Sequence, residues 1–339
     1  MSKTALITGI TGQDGAYLSQ FLLGKGYRVI GLVRSYLNPR IEGLKYLGID
    51  QEVKLEYCDL QDHSQIINLI ARLEPDEIYN LAAQSSVSTS FAQPIGTIHF
   101  NIISVLYLLE AIKLVNPGIR FYQASSSEMY GRPAALPIVE DSVFHPLSPY
   151  GISKASAHWI AINYREVHNL FTCCGILFNH ESFLRSENFF VKKVLRQSIE
   201  IKYGLRQVLE VGNIEIKRDF GYAREYVKAM WLMLQQEKPD DYIICSGRSI
   251  SLRQIIEHVF ERLGIPIDKL VVKKELFRPT EILDNYGDNS KARRLLDWDY
   301  DMSFFDVLDI LLEEELAHFH RSQAGDTHPV HDDKIDPAR

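Results

Sequence analysis

Cysteine is scarce in this 339-residue chain: Cys58, Cys173, Cys174 and Cys245 are the full set, and no two are separated by the two residues of a zinc ribbon. That spacing offers neither a thiolate metal site nor a disulfide framework, so no metal is expected. A basic excess is also missing, since 37 Lys and Arg stand against 44 Asp and Glu, a net charge of -7. Without a positive field to gather a polynucleotide, nucleic acid is not an expected partner. Nowhere do 18 apolar residues run together, so no membrane span is expected. From Met1 the chain enters a short apolar strand without a basic leader, which predicts a cytoplasmic protein. Internal repeats are absent.

What is present suits a globular enzyme. Apolar residues make up 46% and charged residues 24%, which excludes disorder. At roughly 150 residues per domain the length corresponds to about two domains. From Thr4 to about Asn179, strand-sized β-rich runs at 5–8, 29–33, 55–58, 77–81, 121–124 and 175–178 alternate with helical patterns at 16–23, 64–73, 101–115 and 150–168. Gly24 and Gly26, Pro75, and Asn116-Pro117-Gly118 stop the first three helices. This alternation predicts an α/β fold with a doubly wound parallel sheet. Residues 1–179 form the expected cofactor domain, joined by later strands from about 214–250. Beyond Asn179 the rhythm changes, with helical patterns at 190–201 and 252–263 and an extended run at 208–211. Residues 180–320 are read as a smaller, mainly substrate-binding region, with Met230 and Trp231 in helix core, and 321–339 as a polar, disordered tail.

Directly after the first strand comes Thr8-Gly9-Ile10-Thr11-Gly12-Gln13-Asp14-Gly15, with glycines three apart. Glycine permits a tight turn and close backbone approach, and the following helix offers unpaired N–H groups to a pyrophosphate. Gly9, Thr11, Gly12, Gln13, Asp14 and Gly15 are therefore candidate cofactor residues. At the end of the second strand Arg34-Ser35 stands where an acidic residue would bind ribose hydroxyls, which favours NADP over NAD. Asp59 and Leu60 follow the third strand, where a carboxylate could accept from an adenine amino group. Leu81-Ala82-Ala83-Gln84-Ser85 follows the fourth and is small enough to pass under a cofactor. Packing would account for either equally well.

Ser125-Ser126-Ser127-Glu128 follows the fifth strand, and Tyr150-Gly151-Ile152-Ser153-Lys154 opens a helix. Four residues make one helical turn, so Tyr150 and Lys154 share a face. An ammonium beside a phenol should lower its pKa and make Tyr150 a base near neutrality.

With these motifs the chain resembles the extended short-chain dehydrogenase/reductases of the nucleotide-sugar branch, and among them the GDP-mannose 4,6-dehydratases. Besides Thr8 to Leu18, the likeness is carried by Tyr79-Asn80-Leu81-Ala82-Ala83-Gln84-Ser85, Gly175-Ile176-Leu177-Phe178-Asn179-His180-Glu181-Ser182, Lys217-Arg218-Asp219-Phe220-Gly221 and Phe277-Arg278-Pro279-Thr280-Glu281, across about residues 3–315. The resemblance implies a Rossmann fold, tightly held NADP and a GDP-sugar substrate. It makes Ser126 the active-site hydroxyl, Glu128 the acid/base, Tyr150 the proton acceptor and Lys154 its cofactor-binding partner. It makes His180 and Arg185 contacts to NADP, and Asn179, Arg218, Arg278 and Glu281 contacts to the GDP part, with Ser85, Ser126 and Glu128 facing the sugar. Three departures stand out. The loop His180-Glu181-Ser182-Phe183-Leu184-Arg185-Ser186-Glu187-Asn188, bordering the sugar in the family, lacks the usual Pro and Arg-Gly pair, and Ser35 replaces a frequent second Arg. Leu136 to Asp141 and Cys245 to Ser251 look more like the related reductases.

The expected reaction is 4,6-dehydration of GDP-mannose to GDP-4-keto-6-deoxymannose by internal hydride transfer. A reductase needs Tyr and Lys but no second base, so Glu128 favours elimination. The alternatives are a GDP-4-keto-6-deoxymannose reductase, a dehydratase of another GDP-sugar such as a GDP-heptose, and a catalytically silent NADP sensor. Residues 101–115 and 153–168 carry apolar side chains on more than one face, predicting a homodimer or homotetramer built on a helix pair. Cys173-Cys174 reads as strand core, and His318, His320, His328 and His331 as solvated residues rather than a metal cluster.

Overall fold

The computed structural model describes residues 2–35, 37 and 39–323. Its strands are β1 (Thr4–Thr8), β2 (Arg28–Val33), β3 (Lys54–Tyr57), β4 (Glu77–Asn80), β5 (Arg120–Ser126), β6 (Thr172–Leu177), β7 (Asn179–Glu181), β8 (Leu209–Val211), β9 (Lys217–Tyr222), β10 (Asp241–Ile244), β11 (Ser249–Ser251) and β12 (Leu270–Val272). Seven of them form one sheet in the order β10-β6-β5-β4-β1-β2-β3, with every neighbouring pair parallel. Parallel strands are covered on both faces, which is why they read in sequence as unbroken apolar runs.

Alternate side chains feed two cores. Ala5, Ile7, Val29, Tyr79 and Tyr122 pack with Tyr17 and Leu18 of helix Gln13–Gly24 and with Met230 and Met233 of helix Ala223–Gln235. Leu6, Ile30, Ile78 and Phe121 face helices His63–Leu73, Pro94–Val115 and Pro149–His168 through Ile66, Leu69, Leu108, Ile112 and Ala157. Strand order reverses between β1 and β4, so a crevice opens at their carboxyl ends, where this architecture holds ligands.

Of the 214–250 segment, β10 joins the large sheet, whereas β9 pairs with both β11 and β7 in a separate three-stranded sheet; β8 pairs with β12. Helices Phe190–Lys202, Leu252–Leu263 and Phe304–Gln323 pack around these small sheets. The expected tail is corrected at its start, because Arg321 to Gln323 still belong to the last helix. The rest of that tail, 324–339 with His328 and His331, lies outside the described residues. His318 meets the Phe183 ring edge-on and His320 bonds Tyr203 Oη. All four cysteines are free and buried.

Candidate active site

The phosphate loop is shaped by two glycines that nothing larger could replace. Gly9 has φ +70°, and a Cβ there would lie 2.9 Å from the backbone of Leu81 and Ala82 at the end of β4. A Cβ on Gly15 would meet Gly9 O at 2.4 Å. Gly12 is different: it precedes the helix Gln13–Gly24 with no side-chain cap, and its added Cβ would meet Gly9 O alone, at 3.3 Å. Gly12 thus keeps clear the space in front of unpaired helix N–H groups, as a bound pyrophosphate needs. Thr8 Oγ1 fastens the loop by donating to Asn80 Oδ1 and accepting from the N–H groups of Leu81 and Ala82. Arg34 and Ser35 are exposed at the end of β2. Asp59 turns its carboxylate to the N–H of Gln61, and Leu60 is buried. Gln84 is spent on its own loop, bonding Ser86 N, Ser86 O and Thr97 Oγ1, so its amide organises the segment that presents Ala83 and exposed Ser85.

His180, 166 residues from Asp14 in sequence, stands over the same helix start. Its Nε2 is 3.0 Å from both Asp14 carboxylate oxygens and its Nδ1 is 2.7 Å from Phe178 O. An acceptor faces each ring nitrogen, an arrangement that favours the doubly protonated ring. Burial opposes that charge, but Asp14 outweighs it and raises the His180 pKa. Burial likewise pushes Asp14 up, and His180 with Arg185 brings it below the ordinary carboxylate range. Gln13 donates to His180 O and accepts from Ser182 Oγ, stitching the two segments together. The Arg185 guanidinium lies over the Phe189 ring at 3.6 Å, and its buried Nε makes no hydrogen bond but pairs with Glu181 Oε2 at 3.5 Å. The helix N-terminus, with two cationic side chains beside it that are each paired with a carboxylate, is where the phosphates of a dinucleotide would be held.

The chemical centre is built where β5 ends. Ser126, 8% exposed, accepts from Glu128 N and so shapes the short 3₁₀ turn Ser127–Met129. Helix Pro149–His168 starts on Pro149, is capped by Ser148 Oγ accepting from Gly151 N, and buries Tyr150 and Lys154 one turn apart. Gly151 allows contact with the turn, since a Cβ there would lie 2.6 Å from Glu128 O. Lys154 Nζ donates to Ala124 O at 2.8 Å and lies 5.8 Å from the Tyr150 ring centroid.

The expected effect of Lys154 on Tyr150 is corrected by these distances. Burial pushes the Tyr150 phenol up to about 12, against the pull of the Ser126 hydroxyl. Burial also lowers Lys154 to about 8, with Asp14 acting in the opposite sense. In the protein alone, desolvation of the phenolate therefore outweighs an ammonium that spends a hydrogen bond on a carbonyl.

Buried Arg218 of β9 bonds the carbonyls of Lys217 and Ile282, and the charges facing it are Glu128, Arg278, Glu281 and Asp284. Glu281 Oε1 accepts from Arg278 N, and Asn179 Nδ2 donates to Asp219 O. The structure thus gathers the predicted substrate residues around β7 and β9, next to the catalytic turn. The departing loop residues turn elsewhere: Phe183 stacks on Tyr46 at 4.5 Å, and Leu184 lies against Gly43 and Ala16. The Asp14–His180 pairing and buried Asn285, whose Nδ2 reaches Ser127 Oγ, have no local signal in the sequence.

A family model described as GDP-mannose 4,6 dehydratase matches residues 6–311. The chain is 44% identical over 325 residues to GDP-mannose 4,6 dehydratase 1 of Arabidopsis thaliana, covering 93% of this chain and 90% of the relative. It is 42% identical over 333 residues to GDP-mannose 4,6 dehydratase of Homo sapiens, covering 90% and 89%. Among solved structures, the fold is similar to that of RMD from Pseudomonas aeruginosa complexed with NADPH (TM-score 0.78, 24% identity, 94% of this chain and 100% of that one). It is also similar to DesIV, a dTDP-glucose 4,6-dehydratase from Streptomyces venezuelae with NAD and TYD bound (TM-score 0.84, 20% identity, 94% and 98%).

Proposed function

The chain belongs to the family of GDP-mannose 4,6-dehydratases, and from that premise we infer that it is an NADP-dependent lyase converting GDP-mannose to GDP-4-keto-6-deoxymannose and water. The observation that carries this reading is a second acid/base group, Glu128, held by Ser126 and Gly151 beside the Tyr150–Lys154 pair and facing Arg218. When bound, NADP would supply a cationic nicotinamide able to take up a hydride from C4 and give it back at C6, so that no outside reductant is consumed. Tyr150 Oη takes the C4 hydroxyl proton, and Ser126 Oγ hydrogen-bonds the charge developing on that oxygen. Once C4 is a ketone, the C5 hydrogen is acidic. Glu128 removes that proton and delivers it to the departing C6 hydroxyl, which leaves as water. The proton held by Tyr150 then returns to C5. Four hydrogens enter these steps and four leave them, so the sequence balances without an outside reductant.

In this reading residues 1–179 hold most of NADP through the phosphate loop, Arg34, Asp59, Leu60 and residues 81–85, with His180 and Arg185 added from beyond. Residues 180–320 hold most of the substrate, Arg218, Arg278, Glu281 and Asn179 taking the GDP part. Four free, buried cysteines support a reducing compartment, the cytoplasm. The second copy of the chain in a homodimer or homotetramer would cover exposed Ile95, Leu114, Ile152, Trp159 and Val167 on helices Pro94–Val115 and Pro149–His168. Helix Pro94–Val115 is long and apolar enough to cross a bilayer. Its packing against helices His63–Leu73 and Pro149–His168 supports a protein partner for the remaining face instead.

The test is the product mass from GDP-mannose and NADP without added reductant. Loss of water is expected from the parent. Glu128→Gln should still form bound NADPH and a 4-keto sugar while water loss falls by on the order of a hundredfold to ten-thousandfold. A parent that merely reduces a preformed 4-keto sugar with added NADPH overturns the reading in favour of the reductase.

A further inference from the structure

Residues 282–288 form an irregular strand that ties the substrate region to the catalytic turn. Arg218 Nη1 donates to Ile282 O, Lys217 N to Leu283 O at 2.8 Å, and Asp219 N to Asn285 O at 2.9 Å, so the segment runs along β9. On its other side Tyr286 O accepts from Ile138 N and Gly287 bridges to Ile138. The backbone of Asn285 is therefore fixed. Its side chain, 2% exposed, leaves β9 and reaches Ser127 Oγ with Nδ2 at 3.4 Å, while Oδ1 is buried without a partner. Ser127, 3% exposed, sits between Ser126 and Glu128 at the start of the 3₁₀ turn.

A leucine would fill such a buried place without leaving an unsatisfied carbonyl oxygen, so packing alone does not account for an amide here. The turn it touches carries the base. Glu128 N is held by Ser126 Oγ from within the turn, and Asn285 supplies a hold from outside it. The same segment carries Ile282 O, the acceptor for Arg218, a few residues after Arg278 and Glu281. One segment thus contacts both the GDP-binding side and the turn that carries Glu128.

We propose that Asn285 is a positioning residue for the elimination step, orienting the Glu128 carboxylate through its amide contact with Ser127. The role rests on the dehydratase reading and adds to it a group that touches neither the nicotinamide nor the reacting atoms. Tyr150 and Lys154 are presented by the helix Pro149–His168 and share with the turn only Ser126 and the Gly151 contact, so the first oxidation depends on Asn285 less than the elimination does.

Single-turnover experiments with the NADP-loaded protein and GDP-mannose separate the two steps, following bound NADPH by absorbance and water loss by product mass. Asn285→Leu should leave the oxidation phase within about twofold of the parent and slow water loss by about a hundredfold, the usual scale for a displaced catalytic group. Ser127→Ala removes the intermediary with a smaller change to the core, and should give the same selective loss. Because both act along one path, the double variant should be no slower than the worse single one. Equal slowing of both phases, or no slowing of either in Ser127→Ala, would overturn the role of Asn285. A parent that loses no water from GDP-mannose would overturn the dehydratase reading itself, an outcome the same traces distinguish.

Discussion

Lys154 carries a cost that its stem cannot offset. Its ammonium is 5% exposed, lies over no carboxylate and has one carbonyl as acceptor, so burial lowers its pKa from 10.5 to about 8. The sign follows directly. Between about pH 8 and the unfolded value the unfolded chain binds a proton the folded chain does not, so this group's contribution to stability rises with pH there and is most unfavourable below 8. Lys154→Met should raise the unfolding free energy at pH 7 by on the order of 1–3 kcal/mol, and the gain should shrink as pH climbs towards 10. The same variant should lose NADP affinity, as binding groups often cost stability. In the parent, affinity for NADP should fall as pH passes about 8 and the ammonium is lost. Denaturant titrations and cofactor binding at pH 7 and 9.5 check both signs; a less stable Lys154→Met at pH 7 would contradict the argument.

At the scale of elements, the catalytic helix and the Ser126–Glu128 turn meet because residue 151 has no side chain. Gly151→Ala would push a Cβ to 2.6 Å from Glu128 O and 3.1 Å from Pro146 Cβ, contacts that backbone atoms cannot relieve by rotamer change. It should destabilise by about 1–3 kcal/mol and reduce turnover, since relief of the overlap moves Tyr150 away from Glu128. Gly96→Ala, in helix Pro94–Val115 with open space at its Cβ, should instead stabilise by about 0.5–1 kcal/mol. Thermal melts and steady-state rates of the pair test the contrast. Six of the seven strands of the large sheet were legible as short β-rich runs alternating with helical patterns, β10 was covered only by the 214–250 segment, and Tyr150-Gly151-Ile152-Ser153-Lys154 was legible because helical spacing puts both groups on one face. β7 and β11 were not: each has three residues and exists by pairing with β9, a partner remote in sequence. His180 was assigned to NADP by resemblance, but its Asp14 partner emerges only when β7 is laid against the helix start. Asn285 belongs to no motif, and its role depends on which strand its backbone joins.

At the scale of the whole molecule, one helix carries the catalytic pair on its inner side and the proposed contact surface on its outer side. Pro149–His168 turns Tyr150, Lys154 and Ala157 inward and leaves Ile152, Trp159 and Val167 outward at 45%, 58% and 60% exposure. Beside it, helix Pro94–Val115 leaves Ile95 and Leu114 outward at 84% and 62%. Asn101 Nδ2, bonded to Ser153 Oγ at 2.9 Å, locks the two helices together, so their outer faces present one surface. Next to it is a groove of about 600 Å³ lined by Leu106, Trp159, Ile160 and Tyr164. An apolar surface of this kind is costly in water, and a second copy related by a two-fold axis, bringing the same helix pair against itself, would relieve it. Trp159→Glu places a charge at the centre of that contact and none in the active site. Sedimentation should show the parent as a dimer or tetramer and the variant shifted towards monomer at micromolar concentration. Turnover should fall with it, because an unpaired Pro149–His168 helix loses the packing that holds Tyr150 and Lys154 in place. A parent that sediments as a monomer would remove the proposed partner, and a monomeric variant with full activity would show that the catalytic helix is held from within a single chain.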